Sequence, residues 1–370
     1  MAQSIRAVLA LSVLMLAVVP GSSALGQDDM PDAEQLIEVA VDRLVAMQED
    51  DGAWPYEGVY RVRGQIPVGY RVGGTAIVCT ALLYGADADD EAAREAIDRG
   101  IALIIGALFD DPRMAASDED AYDVRVWGHI YALDFFCRLR DRQYETELAG
   151  AIDIAIETLI AALAVEEARG GGWNYANKRA HAPFVTSPAV QALLWAKSQG
   201  EDVDAEMLGR AARALRASRG GDGAYEYSGR ARRPLLPGAI ARSPVSDVTL
   251  GLLGDPVTED ELQAQVDAFH EHWDELEKRR AQHGTHVPPY GVAPYYFYFG
   301  HRYLAQAIAM LPEDQRAAEH EKLLEKLLRT LAEDGTWNDR VFERSANFGT
   351  AMSVLALLGD NVPLPPGLEE

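Results

Sequence analysis

The sequence predicts an all-α fold in which about six helical hairpins close into an α/α toroid, an outer ring of helices around an inner one. Three observations carry that expectation. A turn signal with an aromatic just after glycine recurs at Asp51-Gly52-Ala53-Trp54, Gly171-Gly172-Trp173, Asp222-Gly223-Ala224-Tyr225 and Asp334-Gly335-Thr336-Trp337. The aromatics are 119, 52 and 112 residues apart, so two intervals are about twice the third. The places expected for two silent repeats hold the turn-like segments Asp110-Asp111-Pro112 and His283-Gly284-Thr285, which makes six units. Finally, a helix with one apolar face precedes each turn, and a helix that is apolar nearly all round follows it.

The elements follow in order. Residues 1–26 combine Arg6, an apolar run from Ala7 to Val19 and the small residues Gly21, Ser22, Ser23, Ala24 and Gly26, the pattern of a secretory leader. The run is shorter than the ~20 residues a spanning helix needs. The mature chain is therefore expected to be exported, periplasmic or extracellular, and to begin near Leu25 or Gln27. Residues 27–370 then form one toroid domain. Outer helices are expected near 32–48, 90–107, 145–164, 204–219, 258–280 and 315–332. The first shows its apolar face in Leu36, Val39, Ala40, Leu44 and Met47, and the last in Leu323, Leu324, Leu327, Leu328 and Leu331. Inner helices are expected near 71–85, 123–140, 182–199, 243–253, 293–311 and 345–358. Segments 75–83, 187–195 and 349–358 lack a polar face, as helices buried on every side do. An open solenoid of the same pairs is the alternative, but neither terminal pair is polar enough to serve as a cap.

Composition narrows the partners. The formal net charge is −24, which acts against nucleic acid and anionic membranes. No later segment is apolar for 18 residues, so no stable membrane insertion is expected. Cys79 and Cys137 are the two cysteines. They either pair in an oxidising compartment or remain buried thiols. The sequence calls for no cofactor and leaves the oligomeric state open.

Gln48-Glu49-Asp50-Asp51-Gly52-Ala53-Trp54 resembles the Gln-x-x-Asp-Gly-x-Trp repeat of squalene–hopene cyclases and protein prenyltransferase β-subunits. The whole mature chain resembles exported bacterial proteins with prenyltransferase and squalene-oxidase repeats. That resemblance rests on Gly171-Gly172-Trp173-Asn174-Tyr175, on Val126-Trp127-Gly128-His129-Ile130-Tyr131-Ala132, and on the run from Tyr296 to Tyr303. It implies an α/α toroid with a central cavity. Departures are specific. The repeat's Gln is replaced by Glu167, Arg219 and Leu331 before the other aromatics. The cyclases' acidic motif is matched in spacing by Asp87-Ala88-Asp89-Asp90, but in a turn where these acids would cap a helix. The prenyltransferase zinc site has no counterpart, so no metal is assigned. A zinc ion held by Asp123, His129 and His301 is the residual alternative.

Polar residues concentrate at the N-terminal ends of the inner helices, the usual anatomy of a pocket mouth. Asp123, His129, Asp247 and His301 are the candidate catalytic residues. Arg125, Trp127, Tyr175, Arg242, Tyr290, Tyr295 and Tyr298 are the candidate substrate-binding residues. The first functional expectation is a central aromatic-lined cavity acting on or binding an isoprenoid-like or other largely apolar substrate, since aromatic faces stabilise cations. The second is a carbohydrate-active α/α enzyme, a polysaccharide lyase or hydrolase, since the same rings stack on sugars. The third is a non-catalytic binding or scaffold protein. Under the first two, the partner is a small molecule or polymer in the central cavity; under the third, aromatics fill that cavity.

Overall fold

Each glycine of the recurring turn lies in left-handed backbone, with φ of 88° at Gly52, 93° at Gly171, 78° at Gly223 and 83° at Gly335. A side chain would be strained there. In three repeats the preceding aspartate folds the turn, its carboxylate accepting from the backbone N–H of Ala53 (3.2 Å), Ala224 (3.2 Å) or Thr336 (3.1 Å). The aromatic then staples two helices together. The backbone N–H groups of Trp54, Trp173, Tyr225 and Trp337 donate to the hydroxyls of Thr75, Thr186, Ser243 and Thr350. The indole N–H groups of Trp54, Trp173 and Trp337 donate to the carbonyls of Leu44, Leu163 and Leu327, ten residues upstream. One residue type thus holds the end of an outer helix to the start of its inner partner.

These observations come from a computed structural model that describes residues 32–120, 122–175, 178–229 and 235–368. Residues 1–26, where a leader and its cleavage site are expected, lie outside the described residues. The outer helices are α1 (Ala33–Ala46), α3 (Glu91–Asp110), α5 (Ala149–Glu166), α7 (Ala205–Ser218), α10 (Glu259–Glu277) and α12 (Glu313–Leu328). The inner helices are α2 (Val68–Gly85), α4 (Arg125–Asp141), α6 (Pro183–Ser198), α9 (Ser243–Leu252), α11 (Tyr296–Ala309) and α13 (Ala346–Leu357). A four-residue helix, α8 (Leu236–Ala239), lies in the connection before α9, where the sequence pattern predicts none.

The inner helices pack in the cyclic order α2, α4, α6, α9, α11, α13 and back to α2, and α1 packs on α13. This is a closed α/α toroid rather than a solenoid. At the seam Ser345 donates to the carbonyl of Glu57 (2.7 Å), Asn347 to that of Pro55 (3.2 Å) and Arg43 to that of Asp334 (2.7 Å). These bonds join the first hairpin to the last across nearly the whole sequence.

Two sequence features find a structural role. Gln48 donates to the carbonyls of Gly52 (3.0 Å) and Ala96 (2.8 Å) and accepts from Arg99, tying the first turn to the next outer helix. At the matching position of the third repeat, Glu167 does this with Arg210 (2.7 Å), so the loss of Gln preserves the bridge. Asp90 caps α3, its carboxylate accepting from the Ala93 N–H (3.0 Å), at the end of α2 away from the aromatic turns. The acidic quartet is a helix start. Cys79 and Cys137 are buried free thiols, pushed up by burial, so of the two alternatives the second is the one observed. No helix of the described residues is long and apolar enough to cross a membrane.

Candidate functional site

The connections from outer to inner helices converge on one end of the inner barrel, its mouth, where the residue two places after each repeat aromatic is half-exposed in two repeats and buried in the other two. In three repeats it is a tyrosine: Tyr56, Tyr175 and Tyr227. Their neighbours complete a ring. The hydroxyl of Tyr175 is bonded to those of Tyr60 (3.3 Å) and Tyr227 (3.1 Å). His286 meets the Tyr227 ring edge-on at 4.7 Å. Its Nδ1–H donates to the Gly291 carbonyl, so its Nε2 accepts from the Tyr295 hydroxyl at 3.0 Å. Burial holds the His286 imidazole below its ordinary pKa, which agrees with this neutral form.

Under the ring the axis is packed with aromatics. Trp127 meets Tyr70 at 5.4 Å and Tyr131 at 4.9 Å, while Tyr56 meets Phe348 at 4.5 Å. Phe184 stacks on Tyr227 at 5.3 Å, and Phe299 contacts Tyr303 at 4.5 Å. The side chains expected to line an open cavity meet one another instead. The axial cavity beneath them measures about 30 Å³, against the several hundred Å³ of an ordinary ligand pocket. The far end is crossed by the C-terminal segment, whose Pro363 carbonyl accepts from Arg138 (3.1 Å) and whose Leu368 N–H donates to the Leu252 carbonyl (2.9 Å).

The four candidate catalytic residues are not brought together. His301 is fully buried and faces outward: its Nδ1–H donates to the Phe297 carbonyl (2.7 Å), and its Nε2 accepts from the Trp273 indole of α10 (2.8 Å). Burial pushes it down to about 3, and both nitrogens are committed. His129 turns toward α5, between the Met114 carbonyl (2.8 Å) and the Glu166 carboxylate (2.9 Å). Asp247 is buried between α9 and the outer ring, held by the Tyr225 hydroxyl (2.6 Å), Arg219 (2.9 Å) and Gln265 (2.8 Å). Desolvation raises its pKa despite these partners. Asp123 sits before α4 in an ion pair with Arg125. The two histidines serve different outer helices, so Asp123, His129 and His301 share no centre. Among the described residues no cluster of three metal-binding side chains occurs.

The candidate binding residues divide likewise. Tyr175 and Tyr295 belong to the mouth, and Trp127 to the axial packing. Tyr290 is half-buried on the connection into α11. Arg242 is buried as a brace, donating to the Tyr225 carbonyl (2.8 Å) and lying over the Tyr296 ring at 5.7 Å. Tyr298 is fully buried, within electrostatic reach of Asp339 and Arg280.

The fourth position of the repeat ring is Asp339, where the others carry tyrosine. It is fully buried, and neither carboxylate oxygen has a hydrogen-bond partner among the described residues. Desolvation pushes its pKa up to about 7, against the attraction of Arg340 and Arg280. Arg340 is buried beside it with two guanidinium nitrogens unpartnered, and the Tyr56 hydroxyl nearby is unpartnered too. A buried acid with a perturbed pKa and no hydrogen-bond partner is the physical profile of a functional group. Aligning the four turns and reading two residues on from each aromatic gives the signal that would have found it.

No protein-family model matches this chain, and no curated protein sequence does. Solved structures do. The unsaturated glucuronyl hydrolase from Bacillus sp. GL1 superposes with a TM-score of 0.60 at 14% identity, over 88% of this chain and 96% of that one. The α-1,6-mannanase of Salegentibacter sp. gives 0.57 at 14% identity, over 88% and 98%. The type II terpene cyclase MstE from Scytonema gives 0.52 at 16% identity, over 88% and 97%. Likeness at this identity shows the α/α toroid, a fold common to glycan-acting and terpene-cyclising proteins. The cyclase resemblance of the repeats is therefore one of several.

Proposed function

We propose that this chain is an exported carbohydrate-active α/α-toroid protein that takes a neutral oligosaccharide across its tyrosine-lined mouth, with Asp339 as its proton-exchanging acid. The observation that carries the reading is the contrast between mouth and axis. Tyr60, Tyr175 and Tyr227 present half-exposed rings with linked hydroxyls, the apolar face and polar edge that a pyranose ring stacks on and bonds to. The axial cavity, at about 30 Å³, has no room for an isoprenoid. Two of the similar structures are named as glycan-acting proteins, which supports the same side. The chain's charge of −24 favours a neutral glycan over a polyanionic one.

In this reading desolvation keeps about half of Asp339 protonated near pH 7, and the protonated form gives its proton to the leaving glycosidic oxygen while water adds to the anomeric carbon and loses a proton to solvent. Arg340 then faces the carboxylate that remains.

Calorimetric titration with neutral manno-oligosaccharides, uronate-containing oligosaccharides and an isoprenoid alcohol tests the proposal. Binding of the neutral series is expected, weakened about tenfold or more by Tyr175→Ala. An isoprenoid that binds where no oligosaccharide does would overturn it. Export has its own check: protein recovered from the host should begin near Leu25 or Gln27, and an intact Met1 would reject it.

A further inference from the structure

Halfway down the inner barrel, below the aromatic packing, the axial cavity is bounded by Tyr131, Asp134, Gln191, Arg302, Gln306 and Leu355, among others. Arg302 is 5% exposed, and among the described residues no hydrogen bond or ion pair reaches its guanidinium. A buried cation without a partner is costly, and proteins rarely leave one so.

The surrounding acceptors are already engaged. The Gln191 and Gln306 amides bond reciprocally, at 3.0 and 2.9 Å, and Gln191 also donates to Thr249 (3.1 Å). The Tyr131 and Tyr303 hydroxyls bond each other at 3.2 Å. Asp134, the one carboxylate bounding the cavity, is bonded to Arg138 at 2.8 Å. Two guanidinium groups therefore share a single carboxylate, and the cavity carries one unmatched positive charge.

We propose that the axial cavity is a binding site for a monatomic anion, of which chloride is the representative, held by the Arg302 guanidinium. The volume of about 30 Å³ exceeds the roughly 10–15 Å³ that a single water needs, so a halide fits where a tetrahedral oxyanion or a sugar does not. Burial and repulsion from Arg138 push Arg302 down to about 10, still high enough to keep it charged at neutral pH. The site lies apart from the mouth and does not rest on the carbohydrate reading. Its role is to complete the charge balance of the inner ring, so its occupancy registers as stability.

Thermal unfolding of the purified protein at fixed ionic strength, with chloride exchanged for gluconate, reads this directly. The expected result is a saturable rise in Tm of about 3 °C with chloride, reproduced by bromide. Arg302→Gln should abolish the anion dependence. The same Tm for the wild type in both salts, or an undiminished rise in the variant, overturns the proposal. If the variant does not fold, crystals of the wild type grown in bromide decide: anomalous density beside Arg302 supports the site, and density confined to the surface overturns it.

Discussion

Trp337→Ala is expected to destabilise the fold by about 3–5 kcal/mol, the usual cost of emptying a buried indole site. Trp337 is fully buried. Its indole N–H closes the end of α12 on the Leu327 carbonyl (2.9 Å), and its backbone N–H is held by Thr350 of α13 (3.0 Å). The substitution therefore empties a large site, orphans a carbonyl at a helix end and loosens the hairpin that seals the ring against the first repeat. Trp337→Phe separates these effects: it fills most of the site, loses the hydrogen bond and should cost about 1–3 kcal/mol. Urea denaturation measures both. If Trp337→Ala costs less than Trp337→Phe, the staple account of the repeat is wrong.

The second large effect belongs to Asp339. Its folded pKa of about 7 lies above its unfolded value of 3.8. Between those values the folded state holds a proton that the unfolded state lacks, so this group's contribution to stability falls as pH rises from about 4 to 7. The full span is on the order of 4 kcal/mol. Asp339→Asn is neutral throughout, so it should match the wild type near pH 4 and exceed it in stability at pH 8.

Histidines act with the opposite sign. Burial lowers His181 and His270 to about 4 and His301 to about 3, so protonation of the unfolded chain destabilises the fold as pH drops below 6.5. The wild-type profile sums both trends, and the difference between wild type and Asp339→Asn isolates the carboxyl. If the carbohydrate reading holds, the same substitution should lower turnover by about 10²–10⁴-fold, the range for losing a general acid. A variant with unchanged pH dependence would show that Asp339 is ionised in the fold at neutral pH. A stabilised variant with unchanged turnover would leave it a structural acid.

The architecture was legible because its repeat is written in residues with few alternatives. Gly52, Gly171, Gly223 and Gly335 occupy left-handed backbone, and each is followed two residues later by an aromatic that pins an outer helix to an inner one. The site was less legible because an inner helix is buried on every side. With no polar face to fix its rotation, His129, Asp247 and His301 could have faced the axis, and each faces the outer ring, where a partner satisfies it. In sequence the aromatic run of α11 resembles a cavity wall, but rings drawn from several inner helices fill the axis they surround. The sequence does not mark Asp339, or Arg302 as anything beyond a neighbour of His301, because their distinction is an absent partner, a property of the folded chain rather than of residue type.

In the carbohydrate reading the tyrosine mouth, and not the barrel interior, is where this protein meets its ligand. Amide hydrogen exchange with and without a saturating neutral oligosaccharide tests that most directly. Protection is expected to concentrate in the connections carrying Tyr60, Tyr175, Tyr227 and Asp339, with the C-terminal segment around Pro363 unchanged. Protection at that far end, or on the outer helices with the mouth unaffected, would contradict it.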